Sequence, residues 1–209
     1  MVDQSRVSKL LSLMLRHKPD EFGLEVDVYG YVPVDQVVQG IQSRYSDVEE
    51  DYLKDLVGEP NQQRFEINEF GIRALYGHSY FIEMDGDPIN PAPNRLYMGT
   101  TRAVSRDFAT EGIGPGDRYY VHLSLDKETA ASRSHEKDGP LVIEILSDKA
   151  AEQGVNFFLR GEVVLTEQVP ADCLGNFIGD SGSDSFLDLG QSENQTATGF
   201  GRKPRYGRK

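Results

Sequence analysis

The chain holds a single cysteine, Cys173, no tryptophan and only four histidines in 209 residues. One thiol excludes an internal disulfide and, with it, a metal site built on cysteine. The histidines form neither a His-x-x-x-His nor a His-Glu-x-x-His spacing, so no metal is expected. Any apolar run near the roughly 20 residues that a membrane span requires is also missing. Residues 1–19 lack a small-residue cleavage pattern, and Ser12, Arg16 and His17 break their apolar stretch. They read as the first helix of a cytoplasmic protein, not as a leader. Positive charge is scarce: 22 Lys and Arg stand against 34 Asp and Glu, a net charge of −12. That excludes a nonspecific nucleic-acid coat, which needs clustered cations. A local basic pocket on an acidic body remains open. Neither a Walker loop nor Gly-x-Gly-x-x-Gly occurs. Gly112-Ile113-Gly114-Pro115-Gly116 is rich in glycine but interrupted by proline, which predicts a flexible loop and not a dinucleotide turn.

What is present divides the chain in two. Val7, Leu10, Leu11 and Met14 recur at helical spacing, and Pro19 ends that helix by about Lys18. Residues 27–32 predict a strand, a turn and a second strand. A helix opens at Pro33-Val34-Asp35, and Ser46 with Glu49 predicts a capping box for a third. Alternation in Arg64–Ile67 and Ile72–Leu75, around a loop with Gly71, predicts a hairpin. Three helices followed by a two-stranded ribbon is the element order of a winged-helix domain. The proline-rich stretch 85–94 marks a boundary. Beyond it, short strands are expected at 95–98, 119–123, 141–145, 155–159 and 162–166. Two short helices are expected near 104–109 and 127–131. From Gly179 the composition turns to Gly, Ser, Asp and Asn and predicts a disordered tail. Its basic end (Arg202, Lys203, Arg205, Arg208, Lys209) reads first as a solvated tail. The expected organisation is α+β: residues 1–88, residues 89–178 as a mixed-β lobe, and the tail 179–209.

Arg16 and His17 stand together at the end of the first helix. They suit a phosphate, with a bidentate guanidinium beside a group that changes charge near neutral pH. They equally suit helix C-terminal capping, and spacing alone leaves both readings open. Arg64 opens the ribbon and is a third candidate cation. Gly77-His78-Ser79 is either a plain turn or a close backbone approach to a ligand. In Leu96-Tyr97-Met98-Gly99-Thr100-Thr101 a strand runs into a Gly-Thr turn. His122 and Ser124 share one face of a strand by its period of two.

These segments together resemble the tRNA 2′-phosphotransferase family over about residues 7–174. The resemblance rests on Ser8-Lys9-Leu10-Leu11-Ser12, on Leu15-Arg16-His17-Lys18-Pro19, on Arg64-Phe65 and on Gly77-His78-Ser79. It continues through Leu96-Tyr97-Met98-Gly99-Thr100, Arg118–Ser124 and Gly161–Thr166. It implies a winged-helix-like first lobe and a second lobe of the ADP-ribosyltransferase type. It further implies an enzyme that removes an RNA 2′-phosphate, of the tRNA splice-junction kind, with NAD as co-substrate. The implied path runs through an ADP-ribosylated RNA 2′-phosphate to 2′-OH RNA, nicotinamide and ADP-ribose cyclic phosphate. Arg16, His17, Arg64 and Arg133 would be catalytic, and His78 and Ser79 would bind substrate. Gly99, Thr100, Arg118, His122, Leu123 and Ser124 would hold NAD. The expected partner is a 2′-phosphorylated RNA, with tRNA as its class, and the expected state is a monomer. Two positions depart from the family pattern. Met98 stands where a histidine is usual, and Glu136 falls where an arginine is usual, with Arg133 three residues earlier. Those departures keep two other readings open: ADP-ribosylation of phosphorylated RNA or DNA ends, and RNA binding without catalysis.

Overall fold

The apolar stripe of the first helix organises the N-terminal part of the chain. Val7, Leu11 and Met14 are fully buried and Leu10 nearly so, each worth about 1.5–3 kcal/mol for a side chain of that size. The computed structural model describes residues 3–59, 63–134 and 141–179. The described chain forms two compact units, one running to Asp87 and also including Asp117–Tyr119, the other holding Pro88–Gly116 and the residues from Tyr120 on.

In the first unit α1 spans Gln4–Arg16, α2 Val34–Gln42 and α3 Glu50–Gly58. Asp3 caps α1 by accepting from the Ser5 N–H at 2.9 Å. The antiparallel ribbon pairs β1 (Phe65–Asn68) with β2 (Gly71–Ala74), Phe65 facing Ala74. Val32 lies against β2, exchanging two 2.9 Å backbone hydrogen bonds with Ile72. Gly71 permits this approach: its φ is +128°, and a Cβ there would run into the Val32 carbonyl.

Two local expectations fail here. Residues 27–32 are a turn and not a strand pair. Asp27 Oδ1 accepts from the N–H groups of Tyr29 (2.9 Å) and Tyr31 (2.7 Å), which removes the donors a ladder would need. The Ser46–Glu49 capping box does not form either. The Ser46 hydroxyl donates to Asp47, and α3 begins only at Glu50, without a side-chain cap.

The second unit is built on antiparallel strands. Its elements are β3 (Leu96–Thr100), α4 (Arg102–Glu111), β4 (Val121–Leu123), α5 (Lys127–Ser132), β5 (Leu141–Ile145), α6 (Ser147–Glu152), β6 (Phe158–Arg160), β7 (Val163–Thr166) and β8 (Leu174–Ile178). They form two three-stranded sheets, β3-β5-β8 and β4-β7-β6. Tyr97 and Ser124 exchange backbone hydrogen bonds of 2.9 and 2.8 Å, which joins the sheets at β3 and β4. Leu96, Leu123, Ile143, Ile145 and Val164 fill the core. α6 and β8 were not anticipated from the sequence. The stretch from Gly112 to Gly116 is not the loose loop its composition predicts. Ile113 is 1% exposed and pairs with Val169 through bonds of 2.8 and 2.9 Å. The architecture is α+β with small sheets. The expected tail falls outside the described residues beyond Gly179.

Candidate active site

Arg16 closes α1, and its guanidinium lies between two rings, 5.3 Å from the centroid of Phe65 and 4.9 Å from that of Tyr76. One amino group reaches the Arg64 carbonyl at a long 3.5 Å. Its Nε is buried and has no hydrogen-bond partner among the described residues. Burial pushes Arg16 below the ordinary guanidinium value. The Tyr76 phenol opposes that shift, while Arg64 and Arg118 add to it. Gly77, at φ +91°, makes room, since a Cβ there would sit 3.3 Å from the Arg16 side chain.

His17 is exposed beside it. Its pKa is lowered from the usual 6.5, by burial first and then by Arg16 and Arg118. Arg64 is anchored from the other side, donating to the Ser8 hydroxyl at 2.9 Å. Thus Arg64 and Arg118 act on Arg16, and Arg16 and Arg118 on His17, as like charges within one unit. A set of repelling cations is unfavourable alone and becomes favourable around an anion.

Arg118 was expected on the NAD side; its charge acts on Arg16 and His17. The segment Asp117–Tyr119 is tied to the first unit by the Tyr119 N–H, which donates to the His78 carbonyl at 3.0 Å. The Phe81 and Tyr119 rings meet at 4.9 Å. His78 and Ser79 belong to the same unit. His78 is 3% exposed, and Ser79 gives both its N–H (2.9 Å) and its hydroxyl (3.2 Å) to the Arg16 carbonyl. The sequence reading missed Phe65, Tyr76 and Tyr80 as parts of this site. The one local signal was the placing of aromatic residues beside Arg64 and Gly77.

In the second unit Arg133 donates to the Ser124 hydroxyl at 3.2 Å and lies 3.7 Å from the Glu162 carboxylate. Ser124 is 3% exposed, and His122 is half-buried on the neighbouring strand β4. Gly99, on β3, comes close to α5. A Cβ there would collide with the Ala130 carbonyl of α5, so the glycine lets that helix lie against β3. Thr100 is buried and its carbonyl accepts from Ser134. Leu123 points into the core. Met98 packs against the same core, where a thioether is at home. Glu136 lies outside the described residues. Among those residues no group of three His, Cys, Asp or Glu is placed to hold a metal ion. No described helix is long and apolar enough to cross a membrane.

Residues 2–168 match the family model "RNA 2′-phosphotransferase, Tpt1 / KptA family". The chain is 35% identical over 175 residues to a probable RNA 2′-phosphotransferase of Thermococcus kodakarensis, covering 82% of this chain and 96% of the relative. A protein of the same name from Pyrococcus furiosus is 36% identical, covering 83% and 95%. One from Burkholderia lata is 33% identical, covering 82% and 90%. Order and spacing of motifs, family model and relatives agree, and the chain belongs to the Tpt1/KptA family of RNA 2′-phosphotransferases.

Proposed function

We propose that this chain removes a 2′-phosphate from RNA, with NAD as the acceptor and tRNA as the expected class of substrate. The observation that carries the reading is the set Arg16, His17, Arg64 and Arg118. It is a cluster of like charges, and the buried Nε of Arg16 has no partner among the described residues. Such a cluster is what a doubly charged phosphate ester requires. The helices and ribbon of the first unit then serve as a winged-helix-type phosphate holder. The two small antiparallel sheets of the second unit serve as an ADP-ribosyltransferase-type lobe.

The second unit offers donors of the right kind for a dinucleotide. The Ser124 hydroxyl, the Arg133 guanidinium and the His122 imidazole would meet its ribose hydroxyls and phosphates. Gly99 and Thr100 are less suited, being engaged with α5 and Ser134. When bound, NAD supplies an electrophilic ribose carbon with nicotinamide as leaving group and an adjacent hydroxyl that can receive the phosphate.

The chain's own residues then have two tasks. Arg16 and Arg64 hold two phosphate oxygens and leave a third aligned for attack, a gain of orientation and not of bonding. When the phosphorus is later transferred, charge spreads over its equatorial oxygens, and the same cations are already placed to stabilise it. His17, its pKa lowered by burial and then by Arg16 and Arg118, becomes a better base as a dianion arrives and raises that pKa. Arg118 adds a third guanidinium beside Arg16 and Arg64.

The test is incubation of a 2′-phosphorylated oligonucleotide with NAD, following nicotinamide and the RNA together. Release of nicotinamide and loss of the 2′-phosphate are expected. Unchanged RNA with no nicotinamide would overturn the reading.

A further inference from the structure

The C-terminal end of an α-helix is a poor place to hold an anion. Its last four carbonyls lack helical partners, and the end carries about half a negative charge. Arg16 and His17 stand at that end of α1, so something must offset it. Lys18 is followed by Pro19, which has no N–H to fold back. The Leu13 carbonyl accepts from the His17 and Lys18 N–H groups at 3.2 and 2.9 Å. The next partners come from far along the chain. The Tyr80 hydroxyl donates to the Leu15 carbonyl at 2.6 Å, and Ser79 donates its N–H and hydroxyl to the Arg16 carbonyl at 2.9 and 3.2 Å. Tyr80 is 1% exposed, its ring wedged edge-on against His78 at 5.4 Å.

We infer that Tyr80 and Ser79 are positioning residues of the phosphate clamp, and that their donors cancel the negative end of α1 so the helix can present Arg16 and His17 to a dianion. Neither side chain need touch the phosphate. Three donor dipoles turn their positive ends toward the carbonyls nearest the anion. They also fix the backbone of Arg16, and hence the direction in which its guanidinium leaves the helix. The inference rests on the reading of Arg16 and His17 as phosphate holders. A plain structural brace would stabilise the fold and leave anion preference untouched, which separates the two roles.

The experiment uses the full chain without NAD. It compares binding of a short oligonucleotide carrying an internal 2′-phosphate with binding of the same oligonucleotide lacking it. The variants are Tyr80→Phe, which removes only the hydroxyl, and Ser79→Ala, which keeps the backbone donor. Tyr80→Phe is expected to reduce the preference for the phosphorylated oligonucleotide about threefold to tenfold, the range of helix-end effects in partly buried settings. Affinity for the unphosphorylated oligonucleotide should not change. Ser79→Ala should show a smaller loss, and added salt should shrink both. If Tyr80→Phe does not melt cooperatively, Ser79→Ala decides alone. Variants that melt lower but keep the wild-type preference overturn the inference while the clamp reading stands. A wild type with no preference for the phosphate overturns both.

Discussion

Arg73 and Arg16 belong to the same unit, the first buried and the second half-buried. Arg73, on β2, is 6% exposed. It donates to Glu66 at 2.5 Å, to both oxygens of Asp85 at 3.0 Å, and to the Tyr29 carbonyl at 3.2 Å. Tyr31 lies under it, 4.3 Å from ring centroid to guanidinium. Burial works against its charge, but Asp85 and Glu66 more than offset that, and its pKa rises above the ordinary value. Arg16 has rings where Arg73 has carboxylates, and cations where Arg73 has Asp85; its pKa moves the other way. One arginine is completed by the protein and holds the fold. The other is left incomplete, which costs stability, and it persists where a guest can supply the missing charge.

The comparison can be broken at several points. The largest effect is expected from Arg16→Ala: a fall of about 100- to 1000-fold in dephosphorylation rate, the usual loss for one charge-stabilising donor. Its melting temperature should be unchanged or higher, because a repelling cation has gone. A variant that unfolds instead would make Arg16 a second Arg73. Arg73→Ala should do the reverse. Breaking this network should cost about 2–4 kcal/mol in urea unfolding, below the figure for fully buried pairs because Glu66 and Asp85 are partly exposed. The rate per folded molecule should be kept. A lost rate in molecules that remain folded would assign Arg73 to the site.

Gly99→Ala carries the contrast into the second unit. The added methyl meets the Ala130 carbonyl, so a stability loss of about 1–3 kcal/mol is expected, as for other overpacked sites. If stability is untouched and only the dependence on NAD changes, the glycine faces the co-substrate and not α5. The smallest effect is a pH dependence at His17. Its pKa is lowered in the folded chain, whereas the unfolded chain keeps the ordinary value of about 6.5. Below about 6.5 the unfolded state takes up a proton that the folded state refuses, so stability falls as the pH drops through that window and is full above it. Between about pH 7.5 and 5.5, His17→Gln should lose less melting temperature than the wild type. Equal losses would mean that His17 is not held neutral by its neighbours.

Features set by near neighbours were legible in the sequence. The stripe of α1, the alternation read around the β1–β2 turn and the short apolar runs of β5 and β7 depend on residues a few positions away. What escaped depends on partners far along the chain. The Ser46 cap failed because α3 starts only at Glu50, which puts Glu49 and not Ser46 at the cap position. α6 and β8 are too short and too mixed to announce themselves, and β8 acquires its strand form from β5. Of the candidate site, Arg16, His17 and Arg64 were found, since adjacency and a strand start can be read directly. Arg118 was read on the NAD side, and its effect on Arg16 and His17 was not foreseen. Its proximity to Arg16 comes from Tyr119 bonding His78, a contact that no periodicity encodes. Tyr80 looked like an ordinary core aromatic, because a buried hydroxyl reveals its purpose only once its acceptor is known.

The short segment Asp117–Tyr119 has one more consequence, for how the protein is made. A ribosome delivers Arg16, then Arg64, and then the whole run 88–116 of the other unit before Arg118 emerges. The residues of the first unit's core therefore emerge before its full set of cations. For the same reason no single cut at the boundary after Asp87 yields a complete first unit. A fragment ending there would carry α1 and the ribbon but lack Arg118.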